Sequence, residues 1–488
     1  MDSLGTITVH FPFIDEETRI ILESVMGEAS DYADFVLKLG ELVIGTDSSD
    51  LVVYLTIYHS ALAMNFEIIN KIKEKYLGRP ILDPQLYFYS THQINNEDLD
   101  KVHEASDAVL ATKPEDWLAL EMHFLKFEAS MRNYPTTIYE TSTLESIITL
   151  TESDSRLGFN EAPLNDYMSR RATVDGNTEG RIQCIDKGIQ TSKEFDDKVR
   201  LCDFLIKKAH VLKDYDRNKA RELLEQAYAI SEITGIAADY AEIIDKLGKL
   251  DAVQGKFDNA IKHVQQAVSI LERAGLETGN ESLLLSTFYN VISEPDSGYE
   301  WGCMAEEQFK SRPYLRPRAI LNQAWSLILL DKRPEASILI ETTRESIIKS
   351  GFDTHLAWLY FVTGILEMSD GDFLSSASSI EEALRIYETL GGAYLIQLIF
   401  LYHLAKVEVN SCTIDAIVSP SLAILEDRAT TEDLPGILGQ VLLLKAEVAI
   451  IRKDDVDIRE IIQQLRPLTE CKGMQFLKPM YESLLQRV

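Results

Sequence analysis

The sequence contains few cysteines, glycines and prolines, and it has no long apolar run. The 24 glycines and 14 prolines lie mainly between periodic segments, which leaves little room for strands and favours helices with short connections. The most apolar runs, residues 51–64 and 393–405, are too short to span a bilayer. The five cysteines show no Cys-x-x-Cys spacing, so we expect reduced residues of the core rather than a zinc site or a redox pair. They are Cys184, Cys202, Cys303, Cys412 and Cys471.

Basic residues are also scarce. The chain has 48 Lys and Arg against 78 Asp and Glu, a formal net charge of −30. Such a field repels phosphate backbones and anionic lipid head groups, so we expect neither nucleic-acid binding nor membrane binding. The charge favours a solvated acidic surface, with a patch for a basic partner as the alternative. The first residues lack the basic start and long apolar stretch of a signal peptide, and a cytoplasmic location is therefore expected.

Enzyme motifs are missing as well. The sequence contains no G-x-x-x-x-G-K-[ST], no G-x-G-x-x-G after a strand, no H-E-x-x-H and no G-x-S-x-G. We therefore predict no enzyme, no catalytic residue, no cofactor and no metal site. The nine histidines are scattered, and His59 and His403, each beside a tyrosine, are expected to hydrogen-bond a neighbour. Acidic runs at 15–17, 196–197 and 454–455 lack the spacing of a calcium loop and predict helix starts.

Residues 247–275 carry the clearest pattern in the chain, a helix that ends, a tight turn and a second helix. Gly255 is expected to end the first helix with a positive φ, and Phe257 to fill the turn of the hairpin. Ala260 and Ala267 are small enough to let two helix backbones approach closely. This stretch resembles a tetratricopeptide repeat, with small and aromatic residues at the positions that family uses.

The pattern recurs along the second half of the chain. Ala227 and Gly235 return 40 residues later as Ala267 and Gly275, and later glycines keep about this spacing. These are Gly351, Gly391 and Gly473. The turn at 371–373 repeats the Gly-x-aromatic sequence of 255–257. The period is longer than the usual tetratricopeptide repeat, and it indicates two well-matched units and about five weaker ones.

This resemblance implies an all-α fold, a right-handed superhelical solenoid of antiparallel helix pairs, preceded by a helical N-terminal region. We predict three parts. Residues 1–150 form the helical N-terminal region, either diverged helix pairs or a separate domain, in which 3–13 could be a short strand or extended arm. Residues 151–177 form a polar linker or long loop. Residues 178–488 form the repeat solenoid with a C-terminal capping helix at 475–487.

Arg170 and Arg171 precede Thr173 within the predicted linker. This spacing resembles a basic-directed phosphorylation site, and the alternative is that the arginines pair with carboxylates of the chain itself.

The resemblance implies a protein-interaction scaffold or adaptor that binds a peptide or partner helix on its concave face. The alternative is a ligand-sensing module of a signalling or transcription-control system. The lysines and asparagines of the family's peptide clamp are replaced by Asp245 and Lys249, so that clamp is not supported. By the repeat register, the concave floor is charged near 242–249 and apolar in the C-terminal half. The apolar groove residues are Trp325, Trp358, Phe361, Ile365, Met368, Leu398 and Leu401, with packing between helices as the alternative.

Overall fold

The computed structural model describes most of the chain. The described residues are 15–89, 96–132, 140–153, 161–174, 177–213, 216–311, 315–390, 394–411 and 419–487. These ranges contain helices and no strand, which confirms the all-α prediction. The possible extended arm at 3–13 lies outside them. No helix in the described part is long and apolar enough to cross a membrane.

The chain divides into two compact units, Met1–Ile243 and Ile244–Val488. In its described residues, unit 1 contains the first twelve helices and the start of the thirteenth. They are α1 Glu16–Glu28, α2 Tyr32–Gly45, α3 Asp50–Leu62, α4 Phe66–Tyr76, α5 Asp83–Tyr89, α6 Asn96–Ala111, α7 Asp116–Arg132, α8 Glu140–Ser153, α9 Glu161–Val174, α10 Thr178–Glu194, α11 Lys198–Leu212, α12 Arg217–Thr234 and α13 Ala237–Val253.

Unit 2 contains the end of α13 and the remaining helices of the described chain. They are α14 Phe257–Arg273, α15 Gly279–Val291, α16 Pro295–Gln308, α17 Arg316–Leu329, α18 Arg333–Ser350, α19 Asp353–Ser369, α20 Phe373–Thr389, α21 Tyr394–Ser411, α22 Pro420–Thr431, α23 Pro435–Arg452, α24 Asp455–Glu470 and α25 Leu477–Arg487. The last of these helices lies within the predicted capping segment.

The predicted hairpin at 247–275 is confirmed. Helix α13 ends at Val253, Gly255 has a φ of +74°, and α14 begins at Phe257, which is fully buried. A Cβ at Gly248 would lie 3.1 Å from the carbonyl oxygen of Ala260, so the two helices approach closely where the sequence places small residues.

The repeat period is also visible in the backbone. The second helices α12 and α14 begin 40 residues apart, at Arg217 and Phe257, and so do α18 and α20, at Arg333 and Phe373. Within the described residues, the periodic glycines adopt a positive φ, which a residue with a Cβ rarely adopts. They are Gly235, Gly275, Gly351 and Gly473, while Gly391 lies outside the described residues.

Acidic residues begin three helices, as the sequence predicts. Asp15 accepts the N–H of Thr18 at 2.7 Å, and Asp197 accepts the N–H of Arg200 at 3.0 Å. Asp454 caps α24 in the same way. Each carboxylate satisfies a backbone donor that the helix leaves unpaired and lies at the positive end of the helix dipole.

Two expectations need correction. Residues 161–174 of the predicted linker form helix α9, whose Tyr167 packs against Phe124 and Phe127 of α7. Cys471 is exposed at the end of α24, whereas Cys202 is buried as expected for a core cysteine. The division of the chain into residues 1–150, 151–177 and 178–488 stays a prediction.

The first hairpin of unit 2 contacts its last helices. The N–H of Gly436 donates to the carbonyl of Gln254 at 3.0 Å, and the N–H of Phe476 donates to Asp258 Oδ2 at 3.1 Å. The rings of Phe257 and Phe476 meet edge to face, with centroids 5.5 Å apart. A repeat array has contacts mainly between neighbouring repeats. Unit 2 therefore adds a contact between its two ends, which we call the end contact.

Candidate functional site

The predicted groove residues lie in the core of unit 2. Six of the seven side chains are buried, and Met368 is half-buried and packs on the same core. The physical reason is that α19, which carries Trp358, Phe361 and Ile365, contacts α17, α18, α20 and α21 and so has little free surface. This placement agrees with the packing alternative. Their part in binding a partner stays a prediction.

These side chains form one aromatic cluster. Trp358 lies 6.0 Å from Trp325 and 5.0 Å from Phe361, centroid to centroid, and Phe361 stacks on Phe400 at 4.5 Å. The indole N–H of Trp358 donates to Asn322 Oδ1 at 2.9 Å. Edge-to-face and offset ring pairs of this kind stabilise a core beyond their area of burial.

The two histidines singled out in the sequence are both buried. His59 Nδ1 lies 2.9 Å from the Tyr32 hydroxyl, which confirms the expected hydrogen bond to a neighbour. His403 packs edge-on against Trp325 and Phe361, and burial lowers its pKa to about 3. It is therefore neutral at physiological pH.

Unit 1 contains a cavity of about 630 Å³ between helices α3, α7, α9, α11 and α13. One wall is apolar, with Phe124 and Leu125 from α7 and Phe204 from α11. Another wall carries ionisable side chains, among them Asp166, Arg200 and Asp239. Exposed Arg170 and Glu242 line the cavity too and so mark its side toward solvent. A cavity of this size with few convergent polar groups is typical of a ligand site.

Helix spacing places the ionisable groups together. On α11, Arg200, Asp203 and Lys207 are three and four residues apart and share one face. On α13, Asp239 and Glu242 are three residues apart in the same way. These two faces meet in the cavity beside α9, which adds its own acid and base.

Several of these ionisable groups form ion pairs with one another. Lys207 binds Asp166 and also Asp203, the latter at 2.5 Å, and Arg170 binds Asp166 at 2.8 Å. The Arg170 contact agrees with the alternative that the linker arginines pair with the chain's own carboxylates, while the side chain of Thr173 lies outside the described residues.

Arg200 is held on two sides. Its guanidinium binds Asp197 at 3.1 Å and donates to the Tyr58 hydroxyl. Burial disfavours its charge, but Tyr58, Asp197 and Glu121 outweigh that cost and raise the pKa of Arg200. Arg200 is therefore a fixed positive charge of the cavity wall.

Two carboxyl groups of the cavity have no ion pair with any described residue. Asp239 Oδ2 is buried without a hydrogen-bond partner, and Glu121 accepts only the Tyr54 hydroxyl, at 3.3 Å. Burial, with the nearby charges of Asp203 and Glu242, raises the pKa of Asp239 to about 8. Burial also raises the pKa of Glu121 to about 7, although Arg200 opposes the shift. At neutral pH the cavity thus holds protonated carboxyls that a bound cation would ionise.

The chemistry that this arrangement offers is cation binding. In the described residues, no group of three or more His, Cys, Asp and Glu side chains is arranged to hold a metal ion. An organic cation needs fewer direct ligands, because an ammonium or guanidinium is satisfied by one or two carboxylates together with an apolar or aromatic wall.

Most of this cavity is not visible in the sequence. The repeat register puts position 242 on a charged stretch of the predicted concave floor, but no sequence pattern indicates a role for Glu121, Arg200 or Asp239. A signal was present in α11, where charged residues recur at helical spacing beside Val199 and Phe204 on a partly buried helix. Charged residues on a buried face need partners, and their presence marks a candidate site.

No family model and no curated protein sequence matches the chain. Solved structures are similar to it at low identity. One is a signal transduction ATPase with a tetratricopeptide repeat sensor from Pyrococcus horikoshii, with 13% identity and a TM-score of 0.46. The match covers 77% of this chain and 55% of that protein, so the chain spans about half its length.

Two further similar structures are Rap proteins. A Rap protein complexed with competence and sporulation factor has 14% identity and a TM-score of 0.42, covering 67% of this chain and all of that one. The apo form of RapI has 11% identity and a TM-score of 0.45, covering 90% and 99%. Since these TM-scores lie below 0.5, the function has to be inferred from the side chains of this chain.

Proposed function

We propose that the protein is a non-enzymatic binding module, and that the unit 1 cavity holds a basic side chain of a peptide or protein partner. The observation that supports this most directly is the pair of carboxyls, Asp239 and Glu121, that face the cavity without an ion pair. A protein that buries such groups loses free energy unless something neutralises them. In the free protein a proton does so, and in the complex the partner's cation replaces it.

The apolar wall supports a partner segment rather than an isolated charge. Phe88, Phe124 and Phe204 stand beside the carboxyls, so a Lys or Arg side chain can lay its methylene stem on aromatic rings while its charged end reaches Asp239. The net charge of −30 adds long-range attraction for a basic partner and speeds its encounter. The patch for a basic partner, which the net charge allows as an alternative to a solvated acidic surface, would then lie in unit 1.

A small organic cation is the second candidate, because a cavity of about 630 Å³ is within the range of small-molecule sites. It would make the protein a ligand-sensing module rather than a peptide binder. The two candidates share the carboxyl chemistry and differ in whether flanking peptide contributes to affinity.

Titration calorimetry with the full chain distinguishes a peptide partner from a small organic cation. The probes are short capped peptides with one central Lys, Arg or norleucine between apolar residues, and butylamine as the free cation. We expect the Lys and Arg peptides to bind at least about tenfold more tightly than the norleucine peptide, a difference of about 1.4 kcal/mol. Butylamine should bind more weakly than the peptides. Equal binding of butylamine would favour the small-molecule sensor instead.

Matched variants locate the site. Asp239→Asn should weaken the Lys peptide by about tenfold or more, because the anion that the ammonium meets is removed. Glu225→Gln removes the same charge from an exposed position of α12 and should leave the affinity unchanged. Failure of every basic probe to bind, or full affinity in Asp239→Asn, would overturn the proposal.

A further inference from the structure

A second ionisable position in the molecule lies in unit 2. Arg318, in the first turn of α17, is half-buried, and its guanidinium stacks on the Trp358 indole with 2.9 Å between its central carbon and the ring centroid. Trp358 is itself fixed by its hydrogen bond to Asn322 and by Phe361. The indole covers one side of the guanidinium, whose N–H groups can still donate to another group.

Within the described ranges, the Arg318 guanidinium makes no hydrogen bond and no ion pair. Its neighbour Arg316 binds Glu306 at 2.6 Å, and Arg333 binds Asp370 at 3.1 Å. Carboxylates outnumber basic groups in this chain, so an arginine that lies away from all of them is unusual. Burial lowers the pKa of Arg318 to about 9, with only Tyr387 opposing the shift, but the group stays charged at neutral pH.

A buried histidine, His355, lies near enough to Arg318 to be affected by its charge. His355 is 8% exposed, and its Nδ1 has no hydrogen-bond partner among the described residues. Burial and the charge of Arg318 lower the pKa of His355 to about 4, so its ring is neutral. One positive charge beside a neutral imidazole matches one negative charge.

We propose that Arg318 is the recognition site for a single carboxylate in unit 2, with the guanidinium fork as its main donor and His355 nearby. A guanidinium edge and a carboxylate form two parallel N–H···O bonds. The carboxylate would also neutralise a charge that the protein otherwise leaves unpaired. A dianionic phosphate fits less well, because the net charge of −30 repels it more strongly than a monoanion.

The test uses the full chain with sodium acetate, inorganic phosphate or sodium chloride at matched ionic strength. Indole fluorescence and calorimetry measure binding, since Trp358 lies against the guanidinium. We expect saturable binding of acetate, weaker binding of phosphate, and no saturation with chloride. Binding of acetate should be at least tenfold weaker in Arg318→Met, which keeps the length of the side chain without its charge.

Two further variants keep the test decisive. Arg318→Lys keeps the charge and loses the fork, so it should bind acetate with intermediate affinity even if the methionine variant fails to fold. Arg344→Met removes a partly exposed arginine of α18, which binds Glu341, and should bind acetate like the natural chain. Absence of acetate binding in the natural chain, tighter binding of phosphate, or unchanged binding in both Arg318 variants would overturn the proposal.

Discussion

The protonation of Asp239 couples the unit 1 cavity to pH. Its carboxyl is ionised in the unfolded chain above about pH 4, yet in the fold its pKa is raised to about 8. Between these values the unfolded chain binds fewer protons than the folded chain, so the free energy of unfolding falls as pH rises. Asp239→Asn removes this contribution. We therefore expect the variant to gain stability relative to the natural chain from about pH 4 to pH 8.

Denaturant unfolding of both chains across this pH range measures the difference. Glu121→Gln should show the same sign over a narrower window that ends near pH 7, where the raised pKa of Glu121 lies. The stability of the exposed control Glu225→Gln should change with pH in the same way as that of the natural chain. A stability difference that does not change with pH would show that Asp239 is ionised in the fold.

The affinity for a cation should rise with pH, whereas the free energy of unfolding falls with pH. A bound ammonium favours the ionised carboxyl, so the complex loses the proton that Asp239 holds in the free protein. Affinity for the Lys peptide is therefore expected to rise from pH 6 to pH 8, with proton release on binding. Calorimetry in two buffers of different ionisation enthalpy measures the released protons. Equal heats in both buffers would mean that no carboxyl changes its protonation.

A substitution at Trp358 distinguishes the predicted partner-binding groove from packing in the core. It is fully buried, so Trp358→Ala is expected to cost about 3–5 kcal/mol of stability through lost contacts and the cavity left behind. Thermal and denaturant unfolding measure this loss. A melting temperature near that of the natural chain, together with weaker binding of a partner, would instead support the groove prediction for this residue and its neighbours.

At the scale of single elements, α10 and α11 pack through a glycine. A Cβ added at Gly188 would lie 2.2 Å from Phe204 Cζ, and Phe204 also forms part of the apolar cavity wall. Gly188→Ala should therefore cost about 1–3 kcal/mol by overpacking, and it should displace the ring toward the cavity. Gly27 in α1 has nothing within 4 Å of an added Cβ. Gly27→Ala is thus the matched control, with an expected gain of about 0.5–1 kcal/mol.

Chemical denaturation of the two alanine variants decides between packing and helix propensity. Equal stabilisation by both substitutions would mean that α10 and α11 do not approach as closely as the structure shows. A loss at Gly188 with unchanged peptide affinity would show that the cavity tolerates the displaced ring.

Local patterns predicted the hairpins well and the cavity poorly, for a physical reason. The turn at Gly255 and Phe257 is specified by neighbours in sequence, since a positive φ and a buried aromatic residue suffice to stop one helix and start the next. The cavity brings together Glu121, Arg200 and Asp239 from helices far apart in the chain. No local spacing reveals which distant faces meet.

The groove prediction shows a second limit of sequence patterns. Periodicity correctly marks Trp358, Phe361 and Ile365 as one apolar face of α19, but the same pattern serves an exposed groove and a helix packed from several sides. The number of helices that cover a face is a property of the assembled unit. This is why the structure places these residues in the core, with Arg318 over the indole.

At the largest scale, the end contact makes unit 2 differ from an array in which each repeat contacts only its neighbours. A Cβ at Gly436 would lie 2.2 Å from the carbonyl oxygen of Gly255, so both backbones approach at a place where only glycine fits. Gly436→Ala should separate α23 from the first turn of unit 2. The hydrogen bond from Gly436 to Gln254 would then be lost, and the nearby bond from Phe476 to Asp258 would be weakened.

Hydrogen exchange of the intact chain measures how far this change spreads. If the end contact links the two ends, Gly436→Ala should raise exchange in 254–260 and in 473–487 together, although these segments are far apart in sequence. Gly371→Ala is the matched control, because Gly371 has a φ of +81° with nothing within 4 Å of an added Cβ. It should strain its own turn and raise exchange only in α19 and α20. Faster exchange confined to α23 in Gly436→Ala would show that the ends of unit 2 unfold independently, as the outer repeats of an open array do.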